Sequence, residues 1–258
     1  MFRSVVRRAS TLLALAMVLI SCTACAGDRL EYLRNTIDGQ SALGVVRKGV
    51  AIRGLVVYFH GLDRNESILE LDNAHKQLTT TLANAGYAVV SSNAGGNAFG
   101  NPASQRNYVA LAFDSARHYG TSNVFFIAES MGTVAAINLM AGAGNTGLPV
   151  QGIAAINPLL DVYSLDPQYR KLAEDANPQM RASNPLDLPL ETMRGKNLRF
   201  YVTPGDQLVA TADNSVAFER KFGGVANISV VKCSGEHMDP SCIQGKDIVE
   251  WFSSISSQ

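Results

Sequence analysis

The chain has 258 residues, of which 47% are hydrophobic and 17% are charged, and its 22 basic residues balance 22 acidic ones. This composition is too apolar for a disordered protein, and it lacks the basic excess typical of a nucleic-acid binder. The four cysteines are too few to hold together a chain of this length, and no CxxC pair recurs with zinc-binding spacing. We therefore expect one large apolar core, with no metal site, no cofactor and no nucleic-acid partner.

Residues 1–26 have the features of an export signal. Three arginines precede an apolar run at residues 11–20, and small residues follow it. This run is shorter than the roughly 20 residues that a membrane-spanning helix needs. Two processing routes fit the end of the segment. Residues 19–22 resemble a bacterial lipobox, in which Cys22 would be lipidated and become the first mature residue, and residues 24–26 form an A-x-A site for ordinary cleavage.

The number of cysteines and the lipobox favour different routes. Cleavage after residue 26 leaves Cys233 and Cys242 as an even pair, whereas lipidation at Cys22 leaves Cys25 in a flexible tether without an evident partner. The lipobox slightly favours a cell-envelope lipoprotein, with residues 27–258 as a single exported domain that Cys22 tethers to a membrane. On either route the protein leaves the cytoplasm, and a disulfide can persist.

From residue 54 onward, apolar runs rich in β-branched residues alternate with amphipathic helical patterns. The predicted strands are 55–59, 87–91, 124–128, 153–156, 198–202 and 228–231, and the predicted helices are 68–85, 104–119, 132–141, 213–222 and 245–254. One or two antiparallel leading strands are expected at residues 45–52. The alternation predicts an α/β fold, with a mostly parallel central sheet and helices on both faces.

Residues 159–196 interrupt this alternation with several prolines and no strand pattern. They separate two predicted strands by about 40 residues, whereas an ordinary connection has 2–6. We interpret the segment as a small insertion, a cap or lid that passes over the substrate end of the sheet. The alternative is a helix and a long surface loop with no role in substrate choice.

A possible nucleophile follows the strand at 124–128. The sequence AESMG at 128–132 fits the pattern G-x-S-x-G, with Ala128 in the first glycine position and a helical pattern after it. The turn that lifts such a serine off the sheet is tight enough to need small residues two positions before and after it, and Ala128 and Gly132 are small. The alternative is that Ser130 only caps an ordinary helix.

A nucleophilic serine needs a histidine base, and the chain has four histidines. His237 lies in a loop after the last predicted strand, at the carboxyl end where such a base is expected. His75 and His118 fall within helical patterns, where we expect them to be solvated. His237 is therefore the candidate base.

The base needs an acidic partner, and Asp206 follows the strand at 198–202 in a turn with Pro204 and Gly205. Turn chemistry alone would explain an aspartate there, and Asp161, after the strand at 153–156, is a reserve candidate. The order serine, aspartate, histidine favours Asp206, because it is the order of α/β-hydrolases. Loops at the carboxyl ends of several strands can converge at one edge of such a sheet.

Residues 54–252 resemble the α/β-hydrolase superfamily. The matching motifs are YFHG (58–61), AESMG (128–132), PGDQLV (204–209) and GEHMD (235–239). The resemblance is to serine esterases and lipases, with a weaker similarity at 184–186 to the serine-aminopeptidase and prolyl-oligopeptidase-like branches. The sequence departs from the pattern at Ala128, where glycine is usual, and at residues 92–97, where many members have an Asp-Arg-Gly-like turn.

The resemblance implies the α/β-hydrolase fold and a cofactor-free mechanism with Ser130, His237 and Asp206 as catalytic residues. It also implies an oxyanion hole formed by the backbone N–H groups of Leu62 and Met131. His60 would then shape the loop before Leu62 and would not move protons.

Two cysteines lie on either side of the candidate base. In an oxidising compartment, a Cys233–Cys242 disulfide would close a short loop and restrain His237, provided that the Cα atoms lie within about 7 Å. The alternative is two separate buried thiols.

These features predict an exported serine hydrolase that acts on small-molecule carboxylic esters through an acyl-enzyme. A serine peptidase or amidase of the same fold is the first alternative. A non-catalytic envelope-binding protein is the second, because a fold does not establish a function. The complete set of serine, histidine and aspartate favours an enzyme.

Overall fold

The computed structural model describes residues 29–256. Its strands are β1 (Leu30–Ile37), β2 (Gln40–Arg47), β3 (Gly54–Phe59), β4 (Tyr87–Ser92), β5 (Val124–Glu129), β6 (Val150–Ile156), β7 (Asn197–Val202) and β8 (Asn227–Lys232). Its α-helices are α1 (Asn73–Asn84), α2 (Pro102–Tyr119), α3 (Gly132–Ala141), α4 (Ala143–Thr146), α5 (Pro167–Ala176), α6 (Met180–Ser183), α7 (Ala217–Phe222) and α8 (Gly245–Ile255).

The strands form one sheet in the order β1-β2-β4-β3-β5-β6-β7-β8. Strand β2 pairs antiparallel with both β1 and β4, and the pairs from β4 through β3, β5, β6 and β7 to β8 are parallel. This arrangement confirms the predicted mostly parallel α/β sheet. It also places the carboxyl ends of β3, β5, β6, β7 and β8 at one edge, where their loops meet.

Helices cover both faces of the sheet. On one face, α1 and α8 bury residues such as Leu82 and Phe252 against the strands. On the other face, α2, α3 and α7 bury residues such as Leu111, Ile137 and Phe222. The strands β3, β4 and β5 are buried along their whole length, which explains why they read in the sequence as continuous apolar runs.

The leading strands differ from the prediction at 45–52. They form the hairpin β1–β2, which begins at Leu30 and ends at Arg47. Strand β1 lies at the sheet edge and is largely exposed, so its sequence shows little of the apolar pattern on which the prediction depended. The turn residues Asp38 and Gly39 have φ values of 48° and 76°. An Asp-Gly pair suits such a turn, and it was the available sequence signal for this hairpin.

Two predicted helices also differ in their bounds. The helix predicted at 68–85 is divided into a 3₁₀ turn, Glu66–Glu70, and α1, because the Asp72 side chain accepts a hydrogen bond from the His75 backbone and starts a new helix there. The helix predicted at 213–222 begins as a π-turn, Ala212–Val216, before α7. Residues 159–196 contain α5, α6 and several 3₁₀ turns, and no strand.

The predicted export signal at 1–26, with Cys22 and Cys25, lies outside the described residues. Among residues 29–256, no helix combines the length and the apolar character that crossing a membrane requires.

Candidate active site

The turn between β5 and α3 holds Ser130 in a strained conformation. Its φ of 44° lies in the left-handed region, which costs a non-glycine residue about 1–3 kcal/mol. Gly132 packs so closely on β3 that a Cβ atom there would lie 2.4 Å from the carbonyl oxygen of Phe59. Met131 occupies the N-cap position of α3 without a side-chain cap, so the interpretation of Ser130 as a helix cap is wrong.

The structure brings the three predicted catalytic side chains together. His237 Nε2 lies 3.0 Å from Ser130 Oγ, and His237 Nδ1 lies 2.6 Å from Asp206 Oδ2. Ser130 follows β5, Asp206 follows β7 and His237 follows β8, so all three lie at the carboxyl edge of the sheet. The aspartate is buried, and the histidine is partly buried between it and the serine.

The carboxylate of Asp206 is fixed by several donors. Its Oδ1 accepts hydrogen bonds from the backbone N–H groups of Leu208 and Val209, at 3.0 and 2.8 Å. Burial by itself would raise the pKa of Asp206, but the hydrogen bonds from His237 and from these backbone groups outweigh it and lower the pKa below the ordinary value. The carboxylate therefore stays charged and can orient the imidazole and stabilise its protonated form.

Asn157 is a site residue that the sequence reasoning missed. It follows β6 with a φ of 41°, and its Nδ2 donates to Asp206 Oδ2 at 3.0 Å. Its Oδ1 accepts from the backbone N–H of Met238, next to the candidate base, at 3.3 Å. Its place just after a strand, at the same sheet edge as Asp206, was the available signal. The reserve acid, Asp161, instead caps the turn at Val162–Ser164.

The predicted oxyanion donors belong to the same site. Leu62 and Met131 both line the pocket that contains Ser130 and His237. Within residues 29–256, neither backbone N–H donates to a protein acceptor, so both are available to a ligand. His60 is buried, and its ring nitrogens lie 2.9 and 3.0 Å from the carbonyl oxygens of Gly61 and Asn93. These contacts fit the expected role of His60 in shaping the loop before Leu62.

The pocket has a volume of about 330 Å³ and two chemically different walls. One wall is apolar and consists of Phe99, Met131, Leu159, Leu165, Tyr169, Leu208 and Val209. The other is polar and consists of Asp63, Arg64, Asp72, His75 and Glu129. The segment 159–196 supplies three residues of the apolar wall, so it contributes directly to the shape of the pocket.

A disulfide joins Cys233 to Cys242, with a Cα–Cα distance of 5.2 Å across nine positions of sequence. His237 lies inside the closed loop, between β8 and α8.

The part of the chain that the structure describes contains no group of three or more His, Cys, Asp or Glu side chains arranged to hold a metal ion.

The expectation that His75 is solvated is wrong. Its side chain is buried against the active site, where it contacts Glu129 and Asp72 at 2.9 and 2.8 Å. His118, near the end of α2, is exposed as expected. The difference arises because α1 carries His75 on the side that faces the end of β5, and a carboxylate 54 positions later in the sequence is its partner.

Comparisons by sequence find no match: no protein-family model matches the chain, and no curated protein is significantly similar. Comparisons of structure find many. A brefeldin A esterase, described as a bacterial homologue of human hormone-sensitive lipase, superposes with a TM-score of 0.69 at 19% identity, over 96% of this chain and 81% of its own. A hormone-sensitive lipase from a metagenome library has a TM-score of 0.68 at 16% identity, over 88% and 87% of the two chains. The chain has the α/β-hydrolase fold.

These structural similarities confirm the fold that the sequence motifs implied. A third similar structure, carboxyl esterase 2 from the mycorrhizal fungus Tuber melanosporum, covers 93% of this chain and 89% of its own, with a TM-score of 0.66 at 13% identity. In this chain Ser130 follows β5 at the carboxyl edge of the sheet, where ligands bind in open α/β sheets.

Proposed function

We propose that this protein is a serine hydrolase that cleaves carboxylic esters without a cofactor. The observation that carries the proposal is the placement of His237 within hydrogen-bond distance of both Ser130 Oγ and Asp206 Oδ2, with the serine on a strained turn. The esterase and lipase names of the similar structures support ester substrates, as does the large apolar wall of the pocket.

In the proposed reaction, Ser130 Oγ attacks the ester carbonyl while His237 Nε2 accepts its proton. The oxyanion of the tetrahedral intermediate accepts hydrogen bonds from the N–H groups of Leu62 and Met131. His237 then gives the proton to the departing alkoxide, which leaves as an alcohol, and an acyl-Ser130 ester remains. His237 next takes a proton from water, which attacks the acyl group, and collapse of the second intermediate returns the proton to Ser130 and releases the acid.

A fluorophosphonate probe tests the activated serine. We expect stoichiometric labelling of Ser130 in the purified domain and none in Ser130→Ala. Ser254→Ala, on the outer helix α8, is the matched control and should label as the wild type does. A folded wild-type protein that does not label would contradict the enzymatic function and would favour a binding role in the envelope.

A paired substrate test separates esterase from peptidase or amidase activity. The p-nitrophenyl ester and the p-nitroanilide of one acyl group differ only in the leaving atom, so their kcat/KM ratio reports the bond preference. We expect the ester to be turned over and the anilide to be cleaved slowly or not at all. Comparable rates for both, or preference for peptides, would overturn the ester assignment.

We also propose that the protein is exported and is tethered to a membrane through lipidated Cys22. The features of residues 1–26 support this proposal, and the Cys233–Cys242 disulfide is consistent with an oxidising compartment.

Expression of the full chain in a bacterial host should give a membrane-bound protein with a diacylglyceryl-modified Cys22 as its first residue. Cys22→Ser should abolish the modification, and Cys25→Ser, the control, should not. A soluble protein that begins at Gly27 would contradict the tether, and one that keeps residues 1–26 in the cytoplasm would contradict export.

A further inference from the structure

Four side chains outside the catalytic set form a cluster beside Ser130, in which Tyr58, His75 and Glu129 are buried and the side chain of Asp72 is 52% exposed. Glu129 directly precedes the serine and is only 1% exposed. Its Oε1 accepts a hydrogen bond from the Tyr58 hydroxyl and lies 2.9 Å from His75 Nε2. The other ring nitrogen of His75, Nδ1, lies 2.8 Å from Asp72 Oδ1. Asp72, His75 and Glu129 also line the active-site pocket.

The contacts with two carboxylates favour a doubly protonated imidazole between them. A neutral imidazole has one N–H and can donate to only one carboxylate, whereas the protonated ring donates to both. Burial opposes the charge on His75, but the hydrogen bonds and charges of Glu129 and Asp72 outweigh it and raise the pKa of His75 to about 8. Burial and the neighbouring Glu129 raise the pKa of Tyr58 well above its ordinary value, so the hydroxyl keeps its proton and donates.

The cluster connects three elements to the nucleophile turn. Tyr58 lies in β3, His75 lies in α1, and Glu129 is the last residue of β5. Glu129 is the residue directly before the strained Ser130, so the contacts that fix Glu129 also restrain the start of the nucleophile turn. Deprotonation of His75 removes the positive charge in contact with the buried carboxylate of Glu129 and leaves one ring N–H for two acceptors.

The titratable and charged groups around His75 come from several elements. Asp72, just before α1, and Glu129, at the end of β5, contact the imidazole directly, and Tyr58 of β3 contacts Glu129. Asp63, Arg64 and His237 line the same active-site pocket. Arg64 is exposed, and its guanidinium donates a hydrogen bond to the carbonyl oxygen of Asp63 at 3.4 Å. His75 is the one cation in direct contact with Glu129 among the described residues.

We propose that His75 is a positioning residue for Ser130. Protonated His75 holds Glu129 in place, and deprotonation of His75 sets the alkaline limit of activity. The inference rests on the proposed serine-hydrolase function and deepens it, since it adds a titrating histidine that acts through Glu129 and touches no reacting atom.

The test is the pH profile of Ser130 reactivity, measured as the rate of fluorophosphonate labelling and as kcat for an ester between pH 5.5 and 10. In wild type, both rates should fall as the pH rises, with a midpoint at about 8. His75→Gln keeps one amide donor for Glu129 and cannot titrate. It should react about tenfold more slowly at pH 7, with the loss mainly in kcat, and should show no alkaline fall near 8.

Two further variants make the result specific. Glu129→Gln removes the charge that requires the His75 proton and should also flatten the alkaline limb, so it substitutes for His75→Gln if that variant fails to fold. His118→Gln, at an exposed position of α2, is the matched control and should keep the wild-type profile. A wild-type rate that does not fall near pH 8, or a fall that persists in His75→Gln or Glu129→Gln, overturns the role of His75. Absence of labelling of folded wild type at every pH refutes the proposed function itself, and the role of His75 falls with it.

Discussion

The close contact between Gly132 and the end of β3 makes Gly132→Ala a sharp test of the nucleophile turn. A Cβ atom at this position would lie 2.4 Å from the Phe59 carbonyl oxygen and 2.7 Å from that of His60. Real Cβ atoms come no closer than 3.0 Å to such neighbours, so the two backbone segments must separate by at least about 0.6 Å. Both contacts are with buried backbone rather than with a flexible side chain, so the strain cannot be relieved by a rotamer change.

The expected cost has two parts. Overpacking of this kind destabilises a protein by about 1–3 kcal/mol, and the preference of helices for alanine over glycine offsets less than about 1 kcal/mol of it at the first position of α3. The shift also moves the loop of His60 and Leu62 away from Ser130. Since a displacement of about 1 Å can cost about 100-fold in rate, we expect kcat to fall roughly 10- to 100-fold.

Urea unfolding and ester hydrolysis measure the two effects separately. Gly224→Ala is the matched control, because no atom lies within 4 Å of its Cβ position and its φ is not positive, and it should change stability by less than about 0.5 kcal/mol. If Gly132→Ala were as stable and as active as the control, the close contact between the turn and β3 would be neither a constraint on the fold nor a determinant of activity.

Three other perturbations follow from the site. Asp206→Asn should lower kcat by a factor on the order of 10³–10⁴ in steady-state assays, because it removes the charge behind His237. Because the folded pKa of Asp206 lies below its ordinary value of 3.8, its charge stabilises the fold above pH 3.8 and this contribution is lost as the pH falls through the folded pKa, so acid titration of unfolding should show a steeper loss in wild type than in Asp206→Asn. Replacing both Cys233 and Cys242 by serine opens a loop that spans nine positions and should cost about 2–3 kcal/mol in denaturant unfolding, and an unchanged midpoint would argue against a stabilising bridge. Leu165→Ala enlarges the pocket at its apolar wall and should shift the kcat/KM preference towards longer acyl chains in an ester series. An unchanged preference would place the acyl group elsewhere.

Much of the fold was predictable because its signals are local. The central parallel strands β3, β4 and β5 are buried along their whole length, so each one appears in the sequence as a short apolar run. The predicted strands from 55–59 to 228–231 lie within the observed ones. The edge strand β1 was missed because exposure removes the selection for apolar residues that makes a strand recognisable. Its partner, β2, was only partly recognised.

The candidate catalytic residues were also predictable one at a time. The prediction of Ser130 depends on its immediate neighbours, since the turn requires small residues at 128 and 132. The predictions of Asp206 and His237 depend on their positions, since each follows a predicted strand. Their convergence could be inferred from a general property of parallel sheets, whose carboxyl ends share one edge. The distances between them, and the fact that Asp161 is used elsewhere, required the structure.

What the sequence by itself determined, therefore, is what nearest neighbours encode: the turn at Ser130, the apolar strands and the order of serine, aspartate and histidine. Only the tertiary structure decided which distant groups meet. Asn157 reaches Asp206 across 49 positions, His75 reaches Glu129 across 54, and Tyr58 reaches Glu129 across 71. A helical histidine looks the same in a sequence whether it faces water or a buried carboxylate, because the partner that fixes its charge is brought to it by the packing of α1 on the sheet.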